Sequence, residues 1–314
     1  RDVAVTGVQT CALPISPPHR NGAVPIAYTP EVDALRFNTG VSVPSPRSTI
    51  KQLRKIIPAH KPLWIDLKCK QLRVNVWADA RYTEVELNRN IQISLPALIS
   101  FRGGSTCEIA EVHGNKIFLT NPPDTCVGKG QSVNILSERI MVEGPLLSDL
   151  DHEYVGICAD LGIKNFMASF INSWEEVDEL VSSLPGDSQI YLKVETEASL
   201  NRIVYSSKPL NGLHLELARD DLVNEMSDSP LLEIVDAMKI LRKRDSGALI
   251  ASRFFNDLQR TGKASLADIE DALFAASVCK NFMFQDSLSE NPVYLREAAI
   301  LLKGCVEWVD KRSV

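Results

Sequence analysis

From residue 32 onward, short apolar runs alternate with amphipathic stretches of helical period, and this alternation restricts the fold more than any other feature of the chain. Strands are expected at Val32–Asn38, Pro62–Lys68, Asn165–Phe170, Gln189–Glu195, Gly212–Leu217, Gly247–Phe255 and Lys280–Asp286. Helices are expected between them, at Ser48–Ile57, Ser173–Leu184, Pro230–Lys243 and Ser265–Val278. Pro58 stops the first helix, because its ring cannot continue one. Asn172 or Ser173 starts "NSWEEVDELV", with acids in the first turn where the helix dipole favours them. Ser265 and Asp268 form a capping pair three residues apart. Apolar strands that are each followed by a helix imply parallel pairing with right-handed crossovers. At 314 residues the chain is long enough for one large α/β barrel.

Residues 74–147 break the rhythm. They lack long helices and carry turn signals at Arg102-Gly103-Gly104, His113-Gly114-Asn115 and Asn121-Pro122-Pro123-Asp124. Alternating runs such as "CEIAEV" and "KIFLTN" suit antiparallel strands, so a small all-β, barrel-like domain is expected over 74–147. It would split the barrel into a first part, 22–73, and a second part, 148–314. Seven strands are one short of eight, and Pro25 to Val32 leaves no room for another strand with its crossover helix. The missing unit falls where the chain reads "AVTGVQTCALPIS", a stretch without helical or strand period that resembles the translation of a sequencing-library adaptor. Residues 1–21 are therefore expected to be an artefact and disordered. The fold expected is a (β/α)8 TIM-type barrel lacking its first βα unit, with the β domain inserted after the third barrel strand.

Composition excludes some partners. A net charge of −6 without a basic tail argues against nucleic acid, and no apolar run approaches the roughly 18 residues that span a bilayer. Seven scattered cysteines with no CxxC pair suit reduced thiols and a cytoplasmic setting rather than a disulfide framework or zinc site.

Barrels of this kind place their chemistry at the C-terminal strand ends. Those ends supply Arg36 and Asn38, Asp66 and Lys68 with Arg73 beyond, Ser169, Lys193 and Glu195, then Arg219, Asp220 and Asp221, and finally Ser252. In "IYLKVETE", period two puts Lys193 and Glu195 on one face, a costly ending for an apolar strand unless that face meets a polar site. Carboxylates from neighbouring strands suit Mg²⁺, and Lys193 beside them would neutralise a phosphoryl group or a developing enolate. An ordinary solvated Lys–Glu pair is the competing interpretation; Lys68, Arg73 and Lys129 could equally be surface charges.

Seven segments then resemble the pyruvate kinase family, in order from about residue 32 to the end. They are "LRFNTG", "LWIDLKCKQLRV", "VGKGQSVNI", "MASFINSWEEV", "YLKVETEASL", "LARDDLVNE" and "IASRFF". The resemblance implies phosphoryl transfer from phosphoenolpyruvate to ADP, giving pyruvate and ATP. Lys193 would steady the transferring group, Glu195 and Asp221 would hold Mg²⁺ or Mn²⁺, and Arg36, helped by Arg73, would hold the phosphate. Asn38 and Asp66 would belong to a K⁺ site, and Ser252 would stand near enolate protonation. Asp220, at the start of a helix, would sit beside the substrate carboxylate, and Lys68 and Lys129 would lie toward the nucleotide.

Departures from the family pattern are an Asp at 220 where a Gly is usual, Cys69-Lys70-Gln71 for Gly-Pro-Glu, Asn172 for an Arg and Leu266 for an Arg. An impaired enzyme, a non-catalytic paralogue, and a metal-enolate carbon–carbon lyase acting on a pyruvate- or oxaloacetate-type substrate remain as alternatives. The family's C-terminal domain has no counterpart in these residues, so effector control is not expected, and homo-oligomerisation stays open.

Overall fold

The computed structural model describes residues 9–12, 27–76, 83–101, 106–137, 139–226 and 230–312. A short strand, β1 (Gln9–Ala12), precedes β2 (Ala34–Asn38) and β3 (Leu63–Leu67). Seven antiparallel strands follow: β4 (Glu84–Glu86), β5 (Ile91–Ile93), β6 (Ala97–Phe101), β7 (Thr106–His113), β8 (Lys116–Leu119), β9 (Val133–Leu136) and β10 (Ile140–Val142). The parallel series resumes with β11 (Asn165–Ala168), β12 (Gln189–Val194), β13 (His214–Ala218), β14 (Leu249–Ala251) and β15 (Asn281–Met283).

The seven expected parallel strands are all present. They curl in the order β2-β3-β11-β12-β13-β14-β15, the arrangement of a partial TIM-like barrel. Within residues 1–21 one short stretch is described. Gln9–Ala12 is a strand whose backbone pairs in parallel with Asn281–Met283 on one side and with Ala34 and Leu35 on the other. It lies where the eighth strand was missing from the sequence pattern. Two parallel edges facing each other present rows of unpaired N–H and C=O groups, and these accept an extended segment through its main chain. The remaining residues of 1–21 lie outside those described.

The inner strands form in short apolar runs such as Leu63–Leu67 and Gln189–Val194, and the helices begin at side-chain caps. Ser148 and Asp151 make a reciprocal capping box for Asp149–Leu161, which ends on Gly162 in the left-handed region. Of the two candidate caps for Trp174–Ser183 it is Ser173 that accepts from the Glu176 N–H. The expected Ser265–Asp268 box is present on Leu266–Val278. Expected Gly247–Phe255 shrinks to three residues, because Ser252 and Arg253 take φ of 63° and 61° and turn the chain out of the sheet.

One core packs the sheet against its surrounding helices, with Leu35, Phe37, Ile65, Leu67, Phe166 and Leu217 among its wholly buried members. Residues pointing the other way from the strands fill the base of the curled sheet. Ala34, Trp64, Met167, Tyr191, Leu249, Ala251 and Met283 form that apolar plug. The antiparallel strands have a separate core that includes Val85, Leu87, Ile99, Phe101 and Ile117. No helix among the described residues is long and apolar enough to cross a membrane.

Candidate functional site

Above the apolar plug, the next inward-facing positions of β2, β3, β12 and β13 are charged. Arg36 from β2, Asp66 from β3, Lys193 from β12 and Glu216 from β13 are all buried, joined by Lys68, Ser169 and Glu195 at the strand ends. Asp66 is the hub. Its Oδ2 accepts from Arg36 Nε at 2.8 Å, from Arg36 Nη2 and from Lys68 Nζ at 2.7 Å, and Lys193 Nζ stands 3.7 Å away. Its Oδ1 accepts from Ser169 Oγ at 3.1 Å. Burial pushes this carboxyl up, but Arg36, Lys193 and Lys68 outweigh burial and hold it well below its ordinary range.

Lys193 Nζ donates to Glu195 Oε1 at 2.6 Å and to Ser169 Oγ at 3.2 Å. Burial opposes its charge, yet Asp66, Glu195 and Glu216 raise its pKa above the ordinary lysine value, so the ammonium stays protonated. Arg36 completes its bonding at the rim, Nη1 to Asp286 Oδ1 at 3.3 Å. Lys68 differs from its neighbours. Burial, helped by Lys193, Arg36 and Arg73, overcomes Asp66 and lowers its pKa to about 8.

The loops above this layer are held firmly. The carboxylate of buried Asp151 accepts from the Lys68 and Cys69 N–H groups at 2.9 and 3.2 Å, and Glu195 Oε2 accepts from the Phe170 N–H at 2.7 Å. Cys69, Phe170, Ser252, Arg253 and Phe255 have φ between 50° and 63°, and each follows the end of an inner strand. Such backbone in non-glycine residues costs on the order of 1–3 kcal/mol apiece and persists where the surroundings enforce it. Arg219 provides part of that enforcement. It turns away from the site to donate to Ser252 O at 2.6 and 3.1 Å and to the Asp271 carboxylate at 2.6 and 3.1 Å, while lying 4.2 Å over the Phe254 ring.

Two spaces open here. An inner cavity of about 60 Å³ is lined by Arg36, Lys193, Glu195, Glu216, Asp221 and Ser252, among others. An outer cleft of about 660 Å³ lies between the strand ends and the loop Gly130–Ser132 of the antiparallel segment. Asn38, Arg73, Asp220 and Arg253 line it, and Asn38 and Asp220 border both spaces. Arg73 spans the cleft, Nη1 donating to Gly130 O at 2.6 Å and to Gly40 O at 3.3 Å. A Cβ on Gly40 would collide with this guanidinium. Asp220 turns its N–H to Ser252 Oγ at 3.0 Å, so the hydroxyl expected beside the substrate also fastens the helix Arg219–Glu225.

Of the side chains expected from the sequence, Arg36, Lys68, Arg73, Lys193, Glu195, Asp220, Asp221 and Ser252 converge on these two spaces. Lys129 is exposed and lines neither. The K⁺ position expected at Asn38 and Asp66 is crowded by the protein's own side chains. Three cationic side chains already surround Asp66, and Asn38 Oδ1 accepts from the Gly40 N–H at 2.9 Å. A further cation there would face Arg36 and Lys68, so these residues do not fit K⁺.

Glu195 and Asp221, expected to hold a divalent ion, both line the inner cavity, and among the described residues no group of three or more His, Cys, Asp or Glu is placed to hold a metal. Burial raises the Glu195 carboxyl, Lys193 opposes this, and Asp221 adds repulsion. Glu225 is pushed up to about 8, by burial first and then by repulsion from Asp221 and Glu195. Carboxyls that repel one another beside a polar cavity suit a hard cation that takes one or two carboxylates and completes its shell with water and substrate oxygens.

Sequence reasoning missed Glu216, Glu225 and Asp286. Glu216 left a trace, since an acid within "LHLELA" shares its face with Ala218 at period two and stands opposite Lys193 in register.

No protein-family model matches the chain. Over 174 residues it is 21% identical to a pyruvate kinase of Methanocaldococcus jannaschii (strain ATCC 43067 / DSM 2661 / JAL-1 / JCM 10045 / NBRC 100440). The matched part is 53% of this chain and 38% of that enzyme, so the chain spans well under half the length of the curated relative it matches. At that level the chain is similar to part of a pyruvate kinase.

Proposed function

We propose that the chain is a pyruvate kinase-type phosphotransferase, moving a phosphoryl group from an enol phosphate of the phosphoenolpyruvate kind to ADP. The observation that carries this reading is the buried Lys193 ammonium, held between Asp66 and Glu195 and opening with Arg36 onto a polar cavity. In such a transfer the bond between phosphorus and the enol oxygen breaks and one to the terminal ADP oxygen forms. The enolate left behind takes a proton to become a 2-oxo acid. Positioning and neutralisation of charge supply most of the catalysis. Lys193 would neutralise the phosphoryl oxygens in flight, and Arg36 and Arg73 would orient the phosphate. Ser252 would hold its hydroxyl near the carbon that is protonated, and the helical N–H groups after Asp220 would receive the substrate carboxylate. Held by Glu195 and Asp221, Mg²⁺ or Mn²⁺ would supply positive charge at the enol oxygen. The nucleotide would occupy the outer cleft, near Arg73. In this reading residues 22–73 and 148–314, closed by Gln9–Ala12, form a (β/α)8 barrel in the cytoplasm. Residues 74–147 form the inserted domain that brings Gly130–Ser132 to the cleft.

The test follows pyruvate formation from phosphoenolpyruvate and ADP with Mg²⁺, beside a Lys193→Met control, together with calorimetric binding of oxalate as an enolate mimic. Pyruvate that depends on both ADP and Lys193 supports the reading. Neither transfer nor metal-dependent oxalate binding would sink it, and oxalate binding without any use of ADP would turn it toward a lyase. Two further results are expected. Replacing K⁺ by tetramethylammonium leaves oxalate affinity unchanged, because Lys68 already supplies the cation beside Asp66. Oxalate affinity falls as pH rises through about 8, where Lys68 loses the proton that an unfolded lysine would keep to about 10.5. Titrations at pH 7 and pH 9 check the second, and a flat profile would contradict it.

A further inference from the structure

Glu216 is wholly buried, and neither of its carboxyl oxygens has a hydrogen-bond partner. It lines the inner cavity beside Arg36, Lys193, Ala218, Ser252 and Met283. The cations near it are committed elsewhere. Lys193 Nζ bonds Glu195 and Ser169 with Asp66 close by, and the Arg36 guanidinium bonds Asp66 and Asp286. On its other side in register is Leu249, which offers no donor from its side chain. A buried carboxyl without a partner costs folding free energy, and a ligand group that fills the adjoining space with a donor relieves that cost.

We propose that Glu216 receives a hydroxyl group of the bound substrate, so that the acid handled here carries a hydroxyl on the carbon chain beside its oxo or enol-phosphate group. This deepens the phosphotransferase reading and rests on it. Other groups fit less well. A second phosphate or carboxylate would face the Glu216 carboxyl at close range. An ammonium would enter between Arg36 and Lys193. A bare methyl would leave both oxygens unpaired. The cavity of about 60 Å³ has room for a group the size of a hydroxymethyl and is far too small for a sugar or a base. Burial also pushes this carboxyl up to about 7, against Lys193 and Arg36, so near neutral pH it can donate to a hydroxyl as well as accept from one.

The experiment compares pyruvate with hydroxypyruvate by calorimetry on the full chain with Mg²⁺, with oxalate as the check that the site is competent. The native chain is expected to bind hydroxypyruvate at least about tenfold more tightly than pyruvate, the scale of one well-made hydrogen bond. Glu216→Met abolishes that preference, and Glu216→Gln, which keeps shape and hydrogen-bonding atoms, retains part of it. A thermal melt of each variant separates a lost preference from a lost fold. If the native chain binds oxalate but prefers pyruvate, or treats the two alike, the inference falls and the phosphotransferase reading survives. Failure to bind oxalate at all removes both.

Discussion

An Asp66→Asn variant is expected to lose about 3–5 kcal/mol of folding stability, the range found when one partner of a buried ion pair is removed. The side chain keeps its shape, so the loss comes from charge alone. Arg36, Lys68 and Lys193 then face one another with only Glu195, Glu216 and the rim carboxylate of Asp286 left to balance them. Lys68, whose proton is already loosened by burial, relieves part of the repulsion by titrating at a lower pH still. Urea denaturation at pH 7 measures the effect, and repeating it at pH 9 should narrow the gap between variant and parent as Lys68 goes neutral. A variant as stable as the parent would mean that the three cations do not depend on this carboxylate.

Lys193→Met has the larger effect on chemistry. If the phosphotransferase reading holds, turnover falls by at least about a thousandfold, the scale set by removing a dedicated cation from a phosphoryl-transfer site. The cost to the fold is smaller than for Asp66→Asn, because Asp66 keeps Arg36 and Lys68, and Glu195 keeps the Phe170 N–H. Turnover and urea midpoint therefore separate the two variants. Asp66→Asn moves the midpoint most and Lys193→Met moves turnover most. Turnover that survives Lys193→Met would take the reaction away from this side chain.

The parallel strands could be read from the sequence because their apolar residues leave little alternative, and Lys193 and Glu195 could be read from period two on one strand. Capping pairs such as Ser265 and Asp268 are local and were legible for the same reason. Features built across strands were hidden. The ring of cations around Asp66 assembles from β2, β3 and β12, and Arg219 finds Asp271 from 52 positions away. No one-dimensional pattern records such meetings. The short β14 was hidden differently. Left-handed backbone at Ser252, Arg253 and Phe255 carries no glycine to announce it. Glu216 was hidden by its neighbours, since an acid among leucines reads as one more strand residue until its unpaired oxygens are seen.

The inward-facing layer sets three cations, Arg36, Lys68 and Lys193, against three acids, Asp66, Glu195 and Glu216. A balance this even makes the pocket evolvable. Exchanging one of these six side chains for a neutral one shifts the local charge by a whole unit, at a cost to the fold that is largest at Asp66, where three cations meet. Glu216 is the member least tied to the others, so it can change at the smallest cost to the fold. If the pocket binds an acid as proposed, a change at that single position would alter the charge and polarity it accepts and leave the scaffold in place.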